Sequence, residues 1–211
     1  MELLDTVAFA HGVVGKVYQD NDCANPLDND EAVKFAILHR NYINPAKACG
    51  DSPEELEDWR AAHAAEWDAF PLFMFDHSGT AYRIGDENGN NPFSCKWDSG
   101  RVGFAFVKKS ECPDTRETAK IMADEYTKWA NGDCVGYVIE DRHGKHLDSC
   151  WGFIGADSEY FRDEMKRAGD YEAAQIAKAK AAKRERRDTK AARRMEAARP
   201  DLYASAPGAG A

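Results

Sequence analysis

Residues 71–84 read PLFMFDHSGTAYRI and residues 101–107 read RVGFAFV, and these two runs decide the fold class. The first is an apolar stretch interrupted by Ser78-Gly79 and resumed by strand formers, the pattern of a hairpin. In the second, Val102, Phe104 and Phe106 alternate with smaller residues, the period-two pattern of a strand. Toward the C-terminus, CVGYVIEDRHGKHLDSCWGFIG (134–155) predicts two further strands around a His143-Gly144 turn, with Tyr137 opposite Cys150 and Cys134 opposite Phe153. Toward the N-terminus, TVAFAHGVVGKVY (6–18) predicts one strand bent at its glycines, and EAVKFAILHRNYI (31–43) fits a short helix or a strand and is read as a strand. DNDCANPLDND (20–30) and GDENGNNP (85–92) are loops.

Helix signals fall between these strands. Ser52-Pro53-Glu54-Glu55 combines a capping serine, a proline at the first helical position and a glutamate three residues on. Leu56, Trp59, His63, Trp67 and Phe70 then follow at helical spacing, which predicts a helix with a buried aromatic stripe ended by Pro71; His63 is a packed or rim residue on that face. A second helix is expected over Thr115–Ala130, capped by Asp114 or Thr115, with Met122, Tyr126 and Trp129 turned inward and Gly132 as its stop. Asp157 is expected to cap a third, SEYFRDEMKRAG. The expected fold is therefore α+β, a mainly antiparallel sheet with about three packed helices. No Gly-rich phosphate fingerprint follows a strand, so dinucleotide and P-loop functions are unsupported.

Charge divides the 211 residues in two. Residues 171–211 carry ten Lys/Arg against five Asp/Glu, a balance of +5, and residues 1–170 carry 18 against 32, a balance of −14. The expected organisation is an acidic body, 1–170, and a basic tail, 171–211. From Tyr171 to Arg199 the tail consists almost wholly of strong helix formers with no continuous apolar stripe, Pro200 stops it, and SAPGAGA reads as a frayed end. Lys183, Arg184, Arg186, Arg187, Lys190, Arg193 and Arg194 are the candidate nucleic-acid contacts, because such clusters neutralise phosphates and release counterions. No aromatics interleave them, which favours backbone contact over base stacking. The tail could alternatively be a solvated helix or a disordered arm, or fold back on the acidic body.

No apolar run is long enough to span a membrane. The N-terminus MELLDTVAFAHGVVGK lacks the basic start and small-residue cleavage site of a secretory signal, so a cytoplasmic protein is expected. Six cysteines stand at 23, 49, 95, 112, 134 and 150. In that setting they are expected to be reduced, and none is spaced like a zinc knuckle. His143, His146 and Asp148 form the best metal set, but their position on a turn reads as polar loop chemistry; no metal and no cofactor are expected.

Residues 74–107, MFDHSGTAYRIGDENGNNPFSCKWDSGRVGFAFV, are the least generic in the chain. Asp76-His77-Ser78-Gly79, Phe93-Ser94-Cys95, Trp97-Asp98-Ser99-Gly100 and Val102-Gly103-Phe104 resemble a family of proteins encoded by phages and other mobile elements. Tyr126, Asn131-Gly132-Asp133, Val135-Gly136-Tyr137 and Asp148-Ser149-Cys150-Trp151-Gly152-Phe153 are similar to the same family, and the resemblance spans about residues 30–165. It implies a genomic setting and a role in binding host machinery, without implying a reaction.

The same segment holds the residue types of a nucleophilic site. Cys95 as nucleophile, His77 as base and Asp98 as orienting group would suit a cysteine-dependent hydrolase or transferase, with Gly79, Gly100 and Gly103 opening the backbone to an oxyanion. The structural alternative makes Trp97 a core anchor, Cys95 a small buried filler and Asp98-Ser99 a turn, a reading strengthened by the second pair, Cys150-Trp151. On balance the sequence predicts a protein without catalysis that binds a host protein or nucleoprotein, the tail touching nucleic acid. A third reading takes the acidic body as a nucleic-acid mimic that blocks a host DNA-binding or defence enzyme.

Overall fold

The computed structural model describes residues 1–28 and 30–197, and it is an α+β fold of two antiparallel four-stranded sheets and three helices. The chain runs β1 (Leu3–Ala8), β2 (Val14–Gln19), β3 (Val33–Ile37), α1 (Pro53–Ala62), β4 (Trp67–Asp76), β5 (Thr80–Ile84), β6 (Ser99–Lys108), α2 (Thr115–Ala130), β7 (Cys134–Glu140), β8 (His146–Ile154) and α3 (Glu159–Ala197). The first sheet has the order β1-β2-β7-β8 and the second β3-β6-β4-β5.

The second sheet is covered on both faces. Ala119, Ala123 and Tyr126 of α2 pack on Leu72, Met74, Tyr82, Ile84, Ala105 and Val107. On the opposite face Leu56 of α1 packs on Ala36, Phe104 and Phe106. Central β6 is therefore apolar on both sides from Val102 to Val107. A bulge at Val102 breaks its alternation, sending Val102 to the α2 side and Phe104 and Phe106 to the α1 side. Gly103 lies where a β-carbon would meet the Ala36 carbonyl oxygen of β3 at 1.9 Å, so only glycine lets the two backbones pair.

Both early helix starts are as expected. Ser52 accepts the Glu55 N–H at 3.2 Å, the Glu55 carboxylate takes the Asp51 N–H at 2.7 Å, and Asp114 accepts the Glu117 N–H at 3.0 Å. The end of α1 differs. The helix stops at Ala62 and residues 67–76 form a strand, so Trp67 and Phe70 belong to β4. Part of the aromatic stripe still assembles, with Trp59 stacked on His63 at 4.1 Å, 5.7 Å from Trp67 and 4.5 Å from Phe106, whereas Phe70 packs on the α2 side of the sheet. Pro71 sits inside β4 at modest cost: Gly85 donates its N–H to the Pro71 carbonyl, and the Gly85 carbonyl, deprived of a proline N–H, accepts from the Arg116 guanidinium at 2.6 Å.

Residues 6–18 are a β1–β2 hairpin rather than one bent strand, turned by His11 and Gly12 at φ 60° and 80°. A bulge also shifts the β7–β8 register: Tyr137 faces Cys150 as expected, but Cys134 faces Ile154, not Phe153. The third helix is capped by Ser158, whose carbonyl accepts the Arg162 N–H, while Asp157 instead pairs with Lys128 at 2.9 Å. That helix continues through the expected body–tail junction at 170/171 as one 39-residue element. The stop at Pro200 and the SAPGAGA end lie outside the described residues. No described helix is long and apolar enough to cross a membrane.

Candidate nucleic-acid interface

The lead into α3 is tied to the turn before β7. Asp133 accepts the Gly155 N–H on its carbonyl at 2.8 Å and the Ala156 N–H on its carboxylate at 3.0 Å. The Lys128 ammonium beside Asp157 holds that carboxyl below the usual carboxylate range. From this anchor Phe161, Met165, Gly169 and Ala173 are buried at four-residue steps, packing with Ile176 on Val13, Val17, Tyr137 and Ile139 of the first sheet. At Gly169 a β-carbon would stand 2.4 Å from the Phe9 ring, so the missing side chain lets that ring seat against the helix. Docking ends at Ile176 and Ala177, and every residue from Lys178 to Ala197 is exposed. At 1.5 Å per residue this free section projects about 30 Å.

Its charge is ordered. Between 178 and 197 there are nine Lys/Arg and three Asp/Glu. Met165, Gly169, Ala173 and Ile176 are followed at the same three- and four-residue spacing by Lys180, Lys183, Arg187, Lys190 and Arg194, so the face that packs on the sheet continues beyond it as a cationic stripe. Arg186 and Arg193 flank the stripe on one side. Glu185, Asp188 and Glu196 lie on the opposite face of the helix, and Arg184, on the other flank, reaches Asp188 at 3.8 Å. Of the seven residues predicted as nucleic-acid contacts, four therefore form the stripe, two widen it and Arg184 is turned aside. Lys180 was missed by reading clusters of adjacent cations; its place four residues after Ile176 is the signal that finds it.

The residues predicted as a nucleophilic site do converge, at the end of the second sheet. Asp98 Oδ2 accepts from the Cys95 Sγ at 3.3 Å and lies 3.5 Å from His77 Nδ1. The carboxylate thus stands between sulfur and imidazole, whereas activation of a thiol needs the imidazole beside the sulfur. His77 is about two-thirds exposed, and the Tyr42 hydroxyl bonds Asp76 and Thr80, each at 3.3 Å, outside this group. Gly103 serves strand pairing rather than an oxyanion. The Cys/Trp pairs do not build the core: Trp97 is 97% exposed, Cys150 is exposed, and Trp151 lies over Gly136 on the uncovered face of the first sheet. Among the described residues no three His, Cys, Asp or Glu are grouped to hold a metal ion, and the His143 ring is engaged by the Arg142 guanidinium at 3.0 Å.

Fold and site together define a class, an acidic two-sheet α+β body bearing a projecting cationic helix. No family model, curated protein or solved structure matches the chain.

Proposed function

We propose that the protein is a non-catalytic nucleic-acid-binding accessory factor whose α3 stripe lies along a phosphate backbone without reading sequence. The observation that carries this reading is the segregation of Lys180, Lys183, Arg187, Lys190 and Arg194 onto one face of the fully exposed section of α3. From Lys183 to Arg194 the stripe covers about 16 Å, the axial span of about five phosphates on one strand of a duplex. The body's −14 balance repels polyanions, but screening confines that field to about 8 Å at physiological salt, so most of a 30 Å projection lies beyond it. In keeping with the mobile-element resemblance, the partner is a host nucleoprotein, the helix holding its nucleic acid and the body its protein.

Anisotropy of a labelled DNA or RNA duplex against salt tests the reading. The full chain binds with a steep salt slope, and a chain ending at Ala177 loses that binding while keeping its melting curve. Equal binding and an equal slope after truncation overturn the proposal.

A second reading rests on the meeting of Cys95, His77 and Asp98: a cysteine-dependent hydrolase or transferase in which the imidazole swings to the sulfur. Its mark is rapid alkylation of Cys95 at neutral pH that His77→Ala abolishes. Alkylation of Cys95 at the rate of an unfolded thiol removes it.

A further inference from the structure

Away from both sites, two thiols from distant parts of the chain are brought to one place. Cys23 lies in the loop after β2 and Cys134 opens β7, more than a hundred residues later. Three hydrogen bonds join their surroundings: Asp20 donates its N–H to the Cys134 carbonyl at 2.9 Å, the Gln19 side chain donates to the same oxygen at 3.0 Å, and the Trp129 indole donates to the Cys23 carbonyl at 3.0 Å. These bonds set the Cys23 loop against the start of β7, and Cys23 lies near enough to Cys134 to help raise its thiol. Cys23 is half-exposed and Cys134 is buried.

We infer that Cys23 and Cys134 are a modification site, a dithiol that an oxidised low-molecular-weight disulfide converts to an intramolecular disulfide. Exposure assigns the roles. Cys23 is the attacking thiol, because burial, and after it the neighbouring Cys23, push the Cys134 thiol up to about 12 and leave it almost no thiolate at neutral pH. The Cys23 thiolate attacks one sulfur of oxidised glutathione, forming a mixed disulfide and releasing one glutathione thiolate. Cys134 then attacks the Cys23 sulfur as its proton passes to that released thiolate, and the second glutathione thiolate leaves. Two protein thiols are oxidised and one small disulfide is reduced to two thiols.

The bond would close a chain loop of more than a hundred residues, the range in which a cross-link restricts the unfolded chain most. It would also fasten the loop leading into the second sheet onto the junction where α2 ends and the Asp133 anchor of α3 begins.

The test treats the full chain with oxidised glutathione, quenches with alkylating agent in acid and maps the peptides. The expected product is a Cys23–Cys134 linked peptide, two hydrogens lighter than the reduced pair and reversed by dithiothreitol, with a melting midpoint raised by roughly 10 °C. Cys23→Ser, in a partly exposed loop, abolishes both the link and the rise, and Cys150→Ser leaves both intact. The proposal is overturned if Cys23 accumulates as a glutathione mixed disulfide, if it links to another cysteine, if neither thiol reacts, or if the linked protein melts no higher than the reduced one.

Discussion

The two ends of α3 have the same backbone geometry and opposite reasons for being helical. From Phe161 to Ile176 the helix is held by what it covers, with Phe161 5.1 Å from Phe153 and 6.4 Å from Tyr137, and Gly169 against Phe9. From Lys178 to Ala197 it covers nothing and depends on the intrinsic preference of Ala, Lys, Arg and Glu, helped by exposed pairs such as Arg184–Asp188, each worth only a few tenths of a kcal/mol. One side of one helix is a packing surface and then an exposed cationic one. The change occurs where the sheet ends, not where the helical preference changes.

The sharpest contrast lies in amide exchange. Backbone amides of 165–176 are expected to exchange only on global unfolding and those of 182–197 by local fraying, a difference of about a thousandfold or more. Equal protection along the helix would mean that the outer section is covered after all. Next in size, Phe161→Ala removes a buried ring from the docked section and costs about 3–5 kcal/mol in denaturant titration, while the same change at exposed Met195 is close to neutral.

Alkaline pH separates core from projection a third way. Burial pushes Tyr137, beneath the docked section, and Tyr126, in the second core, each up to about 12. Because the unfolded tyrosines ionise near 10, their contribution is complete below pH 10 and is lost as pH rises from about 10 through 12, of the order of 2 kcal/mol each. The share of phenolate absorbance that Tyr126→Phe and Tyr137→Phe remove should therefore rise together with loss of the helical signal; its appearance at pH 10 in a still folded chain contradicts the burial. The smallest effect on stability belongs to Lys183, Arg187, Lys190 and Arg194 all changed to Ala. Stability moves by no more than about 0.5 kcal/mol. The logarithmic salt slope of duplex binding shrinks by up to about 3.6, since each phosphate left without its cation removes about 0.9.

Much of the architecture was legible because its signals are local. The Ser52 and Asp114 caps, the Ser78-Gly79 and His143-Gly144 turns and the alternation within β6 each follow from a few adjacent residues. The failures share a cause. Trp67 and Phe70 fit a helical stripe as well as a strand, and nothing nearby reveals that Arg116, 45 residues after Pro71, satisfies the carbonyl that lets a proline stand in β4. Trp97 reads as a core residue by its chemistry, yet its loop turns it to solvent. Cys95, His77 and Asp98 were named correctly as neighbours, but their order around the carboxylate belongs to the backbone path of two loops.

By itself the sequence determined the fold class, the charge division and the helix-forming composition of the tail, since composition, period and capping act over a few residues at a time. Tertiary structure decided that the third helix runs on into the tail as far as Ala197, that its cationic stripe extends a packing face, and that the Cys23 loop lies against the start of β7. Each of these depends on where a sheet ends or which distant segments pack together, and that is set by burial shared across the whole chain.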